Sequence, residues 1–364
     1  MSVSLPRTRI KSLEELVKQF EIDLEAWEVD RFTANAWEVG AKDEQGRIIT
    51  EPLYQVKAHL KRRRSQSAIR EQIELMKEEI RALIPETFKR VQRFTKPEGR
   101  TLELNISDHH FGKLAWSPET GGPSYDFEIA VKLYIEAFDS LLERAAPYGI
   151  GRVLLPLGND IFHIDDRRQM TTAGTPQDAD TRYDKLFPRV RRLVTEQINR
   201  VRRNVGPVEV VLVRGNHDYN SVFHLGDSLE CTFDGCEDVK IDNTPTQRKY
   251  WHWGKNLVMF THGNEEKFDQ LWALMATERA TEWAASTTRE AHTGHRHGQK
   301  LLVPALDQDR GLVIRQFPSL TPADWWHASK GYTMNQRVAQ GIVWDQNEGV
   351  IGIAQYRAPD EVAG

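Results

Sequence analysis

The chain has 364 residues, 39% of them hydrophobic and 28% charged, with a formal net charge of -4. That profile belongs to a globular chain with a real core. It excludes a globally basic nucleic-acid binder, and no apolar run approaches the ~20 residues that a membrane span requires. The cysteines, Cys231 and Cys236, are too few for a disulfide framework and wrongly spaced for a zinc ribbon, so two reduced thiols are expected. The opening segment MSVSLPRTRIKSLEELVKQF has no apolar stretch ahead of a small-residue cleavage site. A cytoplasmic location is the expectation.

Residues 1–65 read as a small α+β module. Ser12 is placed to cap a short helix over Leu13 to Phe20, with Glu15 at the capping-box position. Trp27-Glu28-Val29, Trp37-Glu38-Val39, Arg47-Ile48-Ile49 and Tyr54-Gln55-Val56 suggest short strands, with a turn at Asp43-Glu44-Gln45-Gly46. A basic run, Lys61-Arg62-Arg63-Arg64, closes the module. Residues 66–98 read as a connecting helix. Ile69, Ile73, Met76, Ile80 and Leu83 form one stripe, so the 66–85 stretch is expected to pack on something, a second copy of the chain included.

From residue 99 to residue 364 the pattern becomes strand, loop, helix. Strands are expected at Leu102–Ile106, Val153–Leu157, Val208–Val213 and Leu257–Phe260, and helices at Phe127–Arg144 and Tyr183–Arg203. Later strands are expected at Leu312–Ile314, Gly341–Trp344 and Val350–Ile353.

Each of the first four strands runs into residues that can bind a metal. The segments are Ser107-Asp108-His109-His110, Gly158-Asn159-Asp160-Ile161-Phe162-His163, Arg214-Gly215-Asn216-His217-Asp218 and Thr261-His262-Gly263. A fifth is Thr293-Gly294-His295-Arg296-His297. Any one of these means little, since Asn, Asp and Gly are ordinary turn residues. Together they place imidazoles and carboxylates at successive strand ends, where loops can converge over a rigid sheet. Imidazole with carboxylate suits first-row divalent ions. Two such ions can clamp the attacking and leaving oxygens of a displacement at phosphorus.

This order of motifs, Asp-x-His, Asn-Asp, Gly-Asn-His-Asp, His-Gly and Gly-His-x-His, resembles the calcineurin-like metallophosphoesterase superfamily over roughly residues 101–300. The resemblance implies a four-layer α/β/β/α sandwich and two divalent metal ions, manganese first, with iron, zinc, nickel or magnesium as alternatives. It implies that Asp108, His110, Asp160 and His297 hold one ion, and that Asp160, Asn216, His262 and His295 hold the other. Asn159 stands where the family usually has glycine, and asparagine is the next best residue at positive φ. The resemblance also implies His217 as the general acid, with Asp218 expected to orient its ring. His163 matches the histidine that faces the substrate in the DNA-repair exonuclease branch. His109 is expected to be a bystander. The layout is also similar to that of phosphoesterases encoded in bacteriophage genomes.

For the substrate, three features lean towards a nucleic-acid diester, and so towards a DNA exo- or endonuclease. They are the Asp160-Ile161-Phe162-His163 match, the arginines of the 183–203 helix (Arg189, Arg191, Arg192, Arg200, Arg202, Arg203) with the Lys61–Arg64 run, and the tryptophans of the N-terminal module. The polar loop 165–176 is expected to contribute to substrate binding, and Trp325-Trp326-His327 to shape the rim or to pack. The alternatives are a phosphatase or cyclic-nucleotide phosphodiesterase acting on small molecules, and a non-catalytic scaffold of the same fold. The scaffold would normally have lost ligands, whereas all seven positions are filled here.

Overall fold

The computed structural model describes residues 2–4, 10–42, 46, 48–62, 99–297, 300–302 and 311–360. The chain divides into two compact units, residues 1–88 and 89–364. The expected connecting helix at 66–98, its 66–85 stripe, and Arg63 and Arg64 lie outside the described residues. No helix among the described residues is long and apolar enough to cross a membrane.

In the first unit, β1 (Ser2–Ser4) pairs with β3 (Ile48–Arg62), which pairs antiparallel with β2 (Trp27–Lys42). The short strands expected here are fused into this one long hairpin. The helix Leu13–Gln19 is capped as its sequence suggests: Ser12 Oγ accepts from the Glu15 N–H at 3.2 Å, and the Glu15 carboxylate accepts from the Lys11 N–H at 2.7 Å. It covers one end of the hairpin, where Leu16, Val56, Ala58 and Leu60 are buried with Trp27 against them. Phe32, opposite Ala58 in the ladder, is exposed, as are Trp37 and Ile48 farther along the hairpin.

The second unit is α/β, built on two mixed sheets. Its strands are β4 (Arg100–Asn105), β5 (Ile150–Gly158), β6 (Val208–Val213), β7 (Val239–Asp242), β8 (Lys249–Trp253), β9 (Asn256–Phe260), β10 (Thr288–Thr293), β11 (Lys300–Leu302), β12 (Val313–Gln316), β13 (Val338–Asp345) and β14 (Gly349–Arg357). One sheet runs β14-β13-β4-β5-β6-β7 and the other β11-β12-β10-β9-β8. Strands β4 to β7 are mutually parallel, as are β9, β10 and β12.

Side chains alternate across each strand, and the core follows that period. Val153, Leu155 and Leu157 of β5, with Val208, Val210 and Leu212 of β6, pack with the helices Phe127–Ala145, Tyr183–Asn204 and Tyr219–Thr232. Their alternates Leu154, Val211 and Val213 pack with Trp251, Val258 and Phe260 of the other sheet and with Ile342 and Trp344. The alternates of β9, Leu257 and Met259, pack with Leu271 and Met275 of the helix Leu271–Glu278. The hydrophobic cluster between the sheets joins them directly.

A charged group is buried within that junction. His292 of β10 places Nδ1 2.7 Å from Glu103 Oε1 of β4, and Nε2 2.9 Å from Glu290 Oε2. Glu103 also accepts from Asn105 Nδ2 at 2.8 Å and from Trp344 Nε1 at 2.8 Å, while Arg315 closes on Glu290. This network ties one sheet to the other, Glu103 lying five residues before Asp108 and His292 three before His295.

Candidate metal centre

The loops that follow β4, β5 and β6 in one sheet, and β9 and β10 in the other, bring the candidate ligands together. Backbone hydrogen bonds continue the sheet into those loops. Asp108 N–H donates to Asn159 O at 2.7 Å, His110 N–H to Asp160 O at 3.0 Å, and Asn159 N–H to Val213 O at 2.7 Å. Across the second sheet Gly294 N–H donates to His262 O at 3.1 Å.

The convergence requires unusual backbone. Asp108, His110, Asn159, Asp160, His295 and His297 all have positive φ; elsewhere among the described residues only Glu21 and Gln169 do so without being glycine. Such conformations are costly for L-residues and gather where surrounding structure enforces them. Close approach adds two glycine requirements. A Cβ on Gly215 would lie 1.9 Å from Asp160 Oδ1, and one on Gly294 would lie 2.5 Å from Asp108 Oδ2.

The side chains form buried sets able to hold a metal ion. Asp108, His110 and His297 place their ligand atoms within 4.8 Å of one another, and so do Asp160, His262 and His295. His110 Nε2 is 3.1 Å from His297 Nε2, and His297 Nε2 is 3.6 Å from Asp108 Oδ1. His262 Nε2 is 3.1 Å from Asp160 Oδ2 and 2.9 Å from Asn216 Oδ1. His110, His163 and His217 make a third such group. Nitrogen and oxygen lone pairs crowd together without apolar spacers, an arrangement that suits a cation.

Charge follows burial. Burial pushes His110, His163 and His297 well below the ordinary histidine range, helped by neighbouring imidazoles at His110 and His163 and by Lys113 and then His327 at His297. His295 is also lowered, by burial and by His262. Neutral imidazole is the ligand form. Burial raises Asp108 to about 7, with Asp160 adding to the rise and His262 opposing it. For Asp160 and His262 burial disfavours both charges, but their mutual attraction wins. Asp160 falls below the carboxylate range and His262 rises to about 9. The proton that His262 holds towards Asp160 and Asn216 stands where a cation would displace it.

The three residues expected to act on substrate differ in placement. His217 is half-buried beside Asp160, whose Oδ1 accepts from the His217 N–H at 2.8 Å. Its ring donates from Nδ1 to the carbonyl of His163 at 2.9 Å. The expectation that Asp218 orients this ring is therefore corrected. Both Asp218 oxygens accept backbone N–H groups, from Phe162 at 3.0 Å and Gly215 at 3.1 Å, so Asp218 braces the two ligand loops. His163 stacks on His217 with centroids 5.3 Å apart, and its Nδ1 is 3.3 Å from His110 Nδ1. His109 turns away, its Nε2 donating to Ala130 O at 2.8 Å.

Several of the arginines read as a phosphate-tracking surface are paired instead. Arg189 binds Glu128 through two bonds of 2.6 and 2.9 Å, Arg202 binds Asp238, and Arg200 is buried against Asp139. In the loop after His163, Asp165 accepts from Ser221 N–H, Ser221 Oγ, Asn220 Nδ2 and Thr172 Oγ1, anchoring the loop to the start of the helix Tyr219–Thr232. Sequence reasoning missed Lys113, which is fully buried. Its Nζ is 2.9 Å from Pro322 O and 3.2 Å from Asp324 Oδ2. Asp324 in turn holds His327 Nδ1 at 2.7 Å, and the His327 ring stacks on that of His297 at 5.4 Å. A lysine two residues after the His110-Phe111 pair gave no signal of its own.

No protein-family model matches the chain, and no curated protein matches it.

Proposed function

We propose that residues 99–364 form a phosphoesterase of the calcineurin-like type, a four-layer α/β/β/α sandwich that binds two divalent cations, manganese preferred, and hydrolyses a nucleic-acid phosphodiester. Residues 1–65 are then an accessory module. The layering is supported by the alternation of the core, with helices packed on the outer face of each sheet and a shared cluster between them. The observation that carries the function is the convergence of Asp108, His110, Asp160, Asn216, His262, His295 and His297 from the carboxyl ends of strands in both sheets.

In this reading Asp108, His110, Asp160 and His297 hold one cation, and Asp160, Asn216, His262 and His295 the other. Bound cations would supply a nucleophilic oxygen at neutral pH and offset charge on the phosphoryl oxygens. The chain's own residues do the rest. Because a carbonyl can only accept, the His163 O contact fixes Nδ1 of His217 as a donor. In its cationic form His217 then carries its transferable proton on Nε2 and passes it to the leaving oxygen. His163 holds His217 by that carbonyl and by stacking, and Asp218 keeps the Phe162 and Gly215 segments in register.

The test is a panel of single-stranded DNA, duplex DNA, RNA, bis-p-nitrophenyl phosphate and p-nitrophenyl phosphate, each with manganese and with chelator. Manganese-dependent cleavage of the diesters is expected. Hydrolysis of the monoester alone would overturn the diesterase reading, and hydrolysis of none would overturn the enzyme.

A further inference from the structure

Beside the ligand cluster lies a cavity of about 270 Å³ whose wall includes His297. His327, Thr321, Tyr332, Asn335 and Arg337 contribute to the rest, and no carboxylate is among its lining residues. A phosphate-bearing ligand would meet no like charge there. Arg337, held by Leu320 O and Pro359 O through Nε and Nη1, brings a cation to the wall, and Asn335 brings an amide able to bond a base edge or a sugar hydroxyl. That volume is on the scale of one nucleoside.

The aromatic groups form a path outward from the centre. His297 stacks with His327, whose ring is fixed by Asp324 and, behind it, by buried Lys113. His327 meets Trp326 at 5.0 Å, and Trp326 meets Tyr332 at 6.0 Å. Trp326 is 52% exposed and Tyr332 57%. Large rings are left open to solvent next to a centre that binds phosphate in our reading. Base stacking on such rings is a sequence-tolerant way to hold a single strand.

We propose that this cavity is the nucleoside subsite for a single-stranded nucleic acid: the reacting phosphate lies at the ligand cluster, its attached nucleoside fills the cavity, and the next base stacks on Trp326 and Tyr332. The proposal rests on the phosphodiesterase reading and assigns its substrate. It gives the Trp325-Trp326-His327 segment a role in recognition, and it places strand binding here instead of on the arginines of the Tyr183–Asn204 helix.

The test compares kcat/KM for single-stranded oligothymidylate with kcat/KM for bis-p-nitrophenyl phosphate, using the full chain with manganese. The ratio is expected to fall about tenfold in Trp326→Ala and again in Tyr332→Ala, because each lost stack is worth about a factor of ten. Trp326→Phe should recover most of it. An unchanged ratio in both alanine variants would overturn the subsite while bis-p-nitrophenyl phosphate turnover left the phosphodiesterase reading standing. Quenching of tryptophan fluorescence by oligothymidylate in chelator separates the two ideas further. If neither substrate is turned over but quenching is present and lost in Trp326→Ala, the subsite stands and the hydrolytic reading falls. Equal affinity for thymidine monophosphate and for the oligonucleotide would overturn the strand as occupant.

Discussion

Glu103→Gln should test how firmly the two sheets must be joined for the centre to exist. Glu103 is buried and faces three donors: His292 Nδ1 at 2.7 Å, Asn105 Nδ2 at 2.8 Å and Trp344 Nε1 at 2.8 Å. A glutamine offers one carbonyl oxygen and an amide that can only donate, so at least one of the three donors meets another donor. Removing one charge of a buried pair costs about 3–5 kcal/mol, and for a unit of this size that lowers Tm by roughly 6–20 °C. The pH dependence has a definite sign. His292 lies above its ordinary value of 6.5: burial alone would lower it, but Glu103 and Glu290 raise it. Its stabilising contribution is therefore complete below the unfolded value of about 6.5 and is lost as pH rises through the folded value. The difference in Tm between wild type and Glu103→Gln, followed by calorimetry, should shrink over that rise. Because Glu103 precedes Asp108 by five residues and His292 precedes His295 by three, manganese affinity should fall as well. A Tm loss below about 2 °C, under 1 kcal/mol on the same scale, or a gap that widens with pH, would refute the reasoning.

Three other outcomes follow from the centre. Gly215→Ala would drive a methyl group against Asp160 Oδ1, and manganese content by elemental analysis should drop with little change in circular dichroism; full retention of metal would contradict it. His217→Ala should keep its manganese and lose about 10²–10⁴-fold in turnover of bis-p-nitrophenyl phosphate, whereas equal turnover would remove His217 from proton transfer. Manganese at 100 times its Kd should stabilise the chain by about 2.7 kcal/mol, visible as a rise in Tm that chelator reverses, and an unshifted Tm would argue against a bound ion.

Much of the second unit was legible because its strands are short apolar runs ended by turn residues. The helix expected at Tyr183–Arg203 ends at Asn204, and the strand expected at Val208–Val213 has those bounds. Asp108, His110, Asp160, Asn216 and His262 were legible as candidate ligands because each stands just past such a run, whereas His295 and His297 follow the mostly polar β10 and were legible only from the Gly-His-x-His pattern. The Glu103–His292 network was not. A charged residue between Leu102 and Leu104 reads as the outward face of a strand, yet both faces of β4 are covered and the partners of Glu103, His292 and Trp344, come from strands far away in sequence. Asp218 was misread for a related reason: adjacency to His217 in sequence says nothing about which donors its carboxylate meets. The arginines of the Tyr183–Asn204 helix look basic in sequence because their partners, Glu128, Asp139 and Asp238, belong to other segments. In the first unit the tryptophan-rich stretches were read as separate strands because the polar residues between them, such as Asp30, Arg31 and Thr33, interrupt the apolar pattern. In a two-stranded hairpin open to solvent, the ladder runs through such positions without needing apolar side chains.

Asn159 shows how one side chain can serve both the backbone and the centre. Its φ of 50° and its backbone bonds to Asp108 and Val213 are what a glycine would also supply. Glycine lacks the amide, whose Oδ1 lies 3.4 Å from His262 Nδ1. That contact accepts the Nδ1 proton and turns Nε2 towards Asp160 and Asn216, and support of this kind behind a ligand is typically worth 10–100-fold in metal affinity. Asn159→Gly should therefore fold normally, since the backbone conformation becomes easier, while its manganese Kd rises by about that factor. Asn159→Asp keeps an acceptor in place and should bind manganese more tightly than the glycine variant. If Asn159→Gly bound manganese as well as wild type, the asparagine would be a conformational substitute for glycine and nothing more, and His262 would owe its orientation to Asp160 and Asn216 alone.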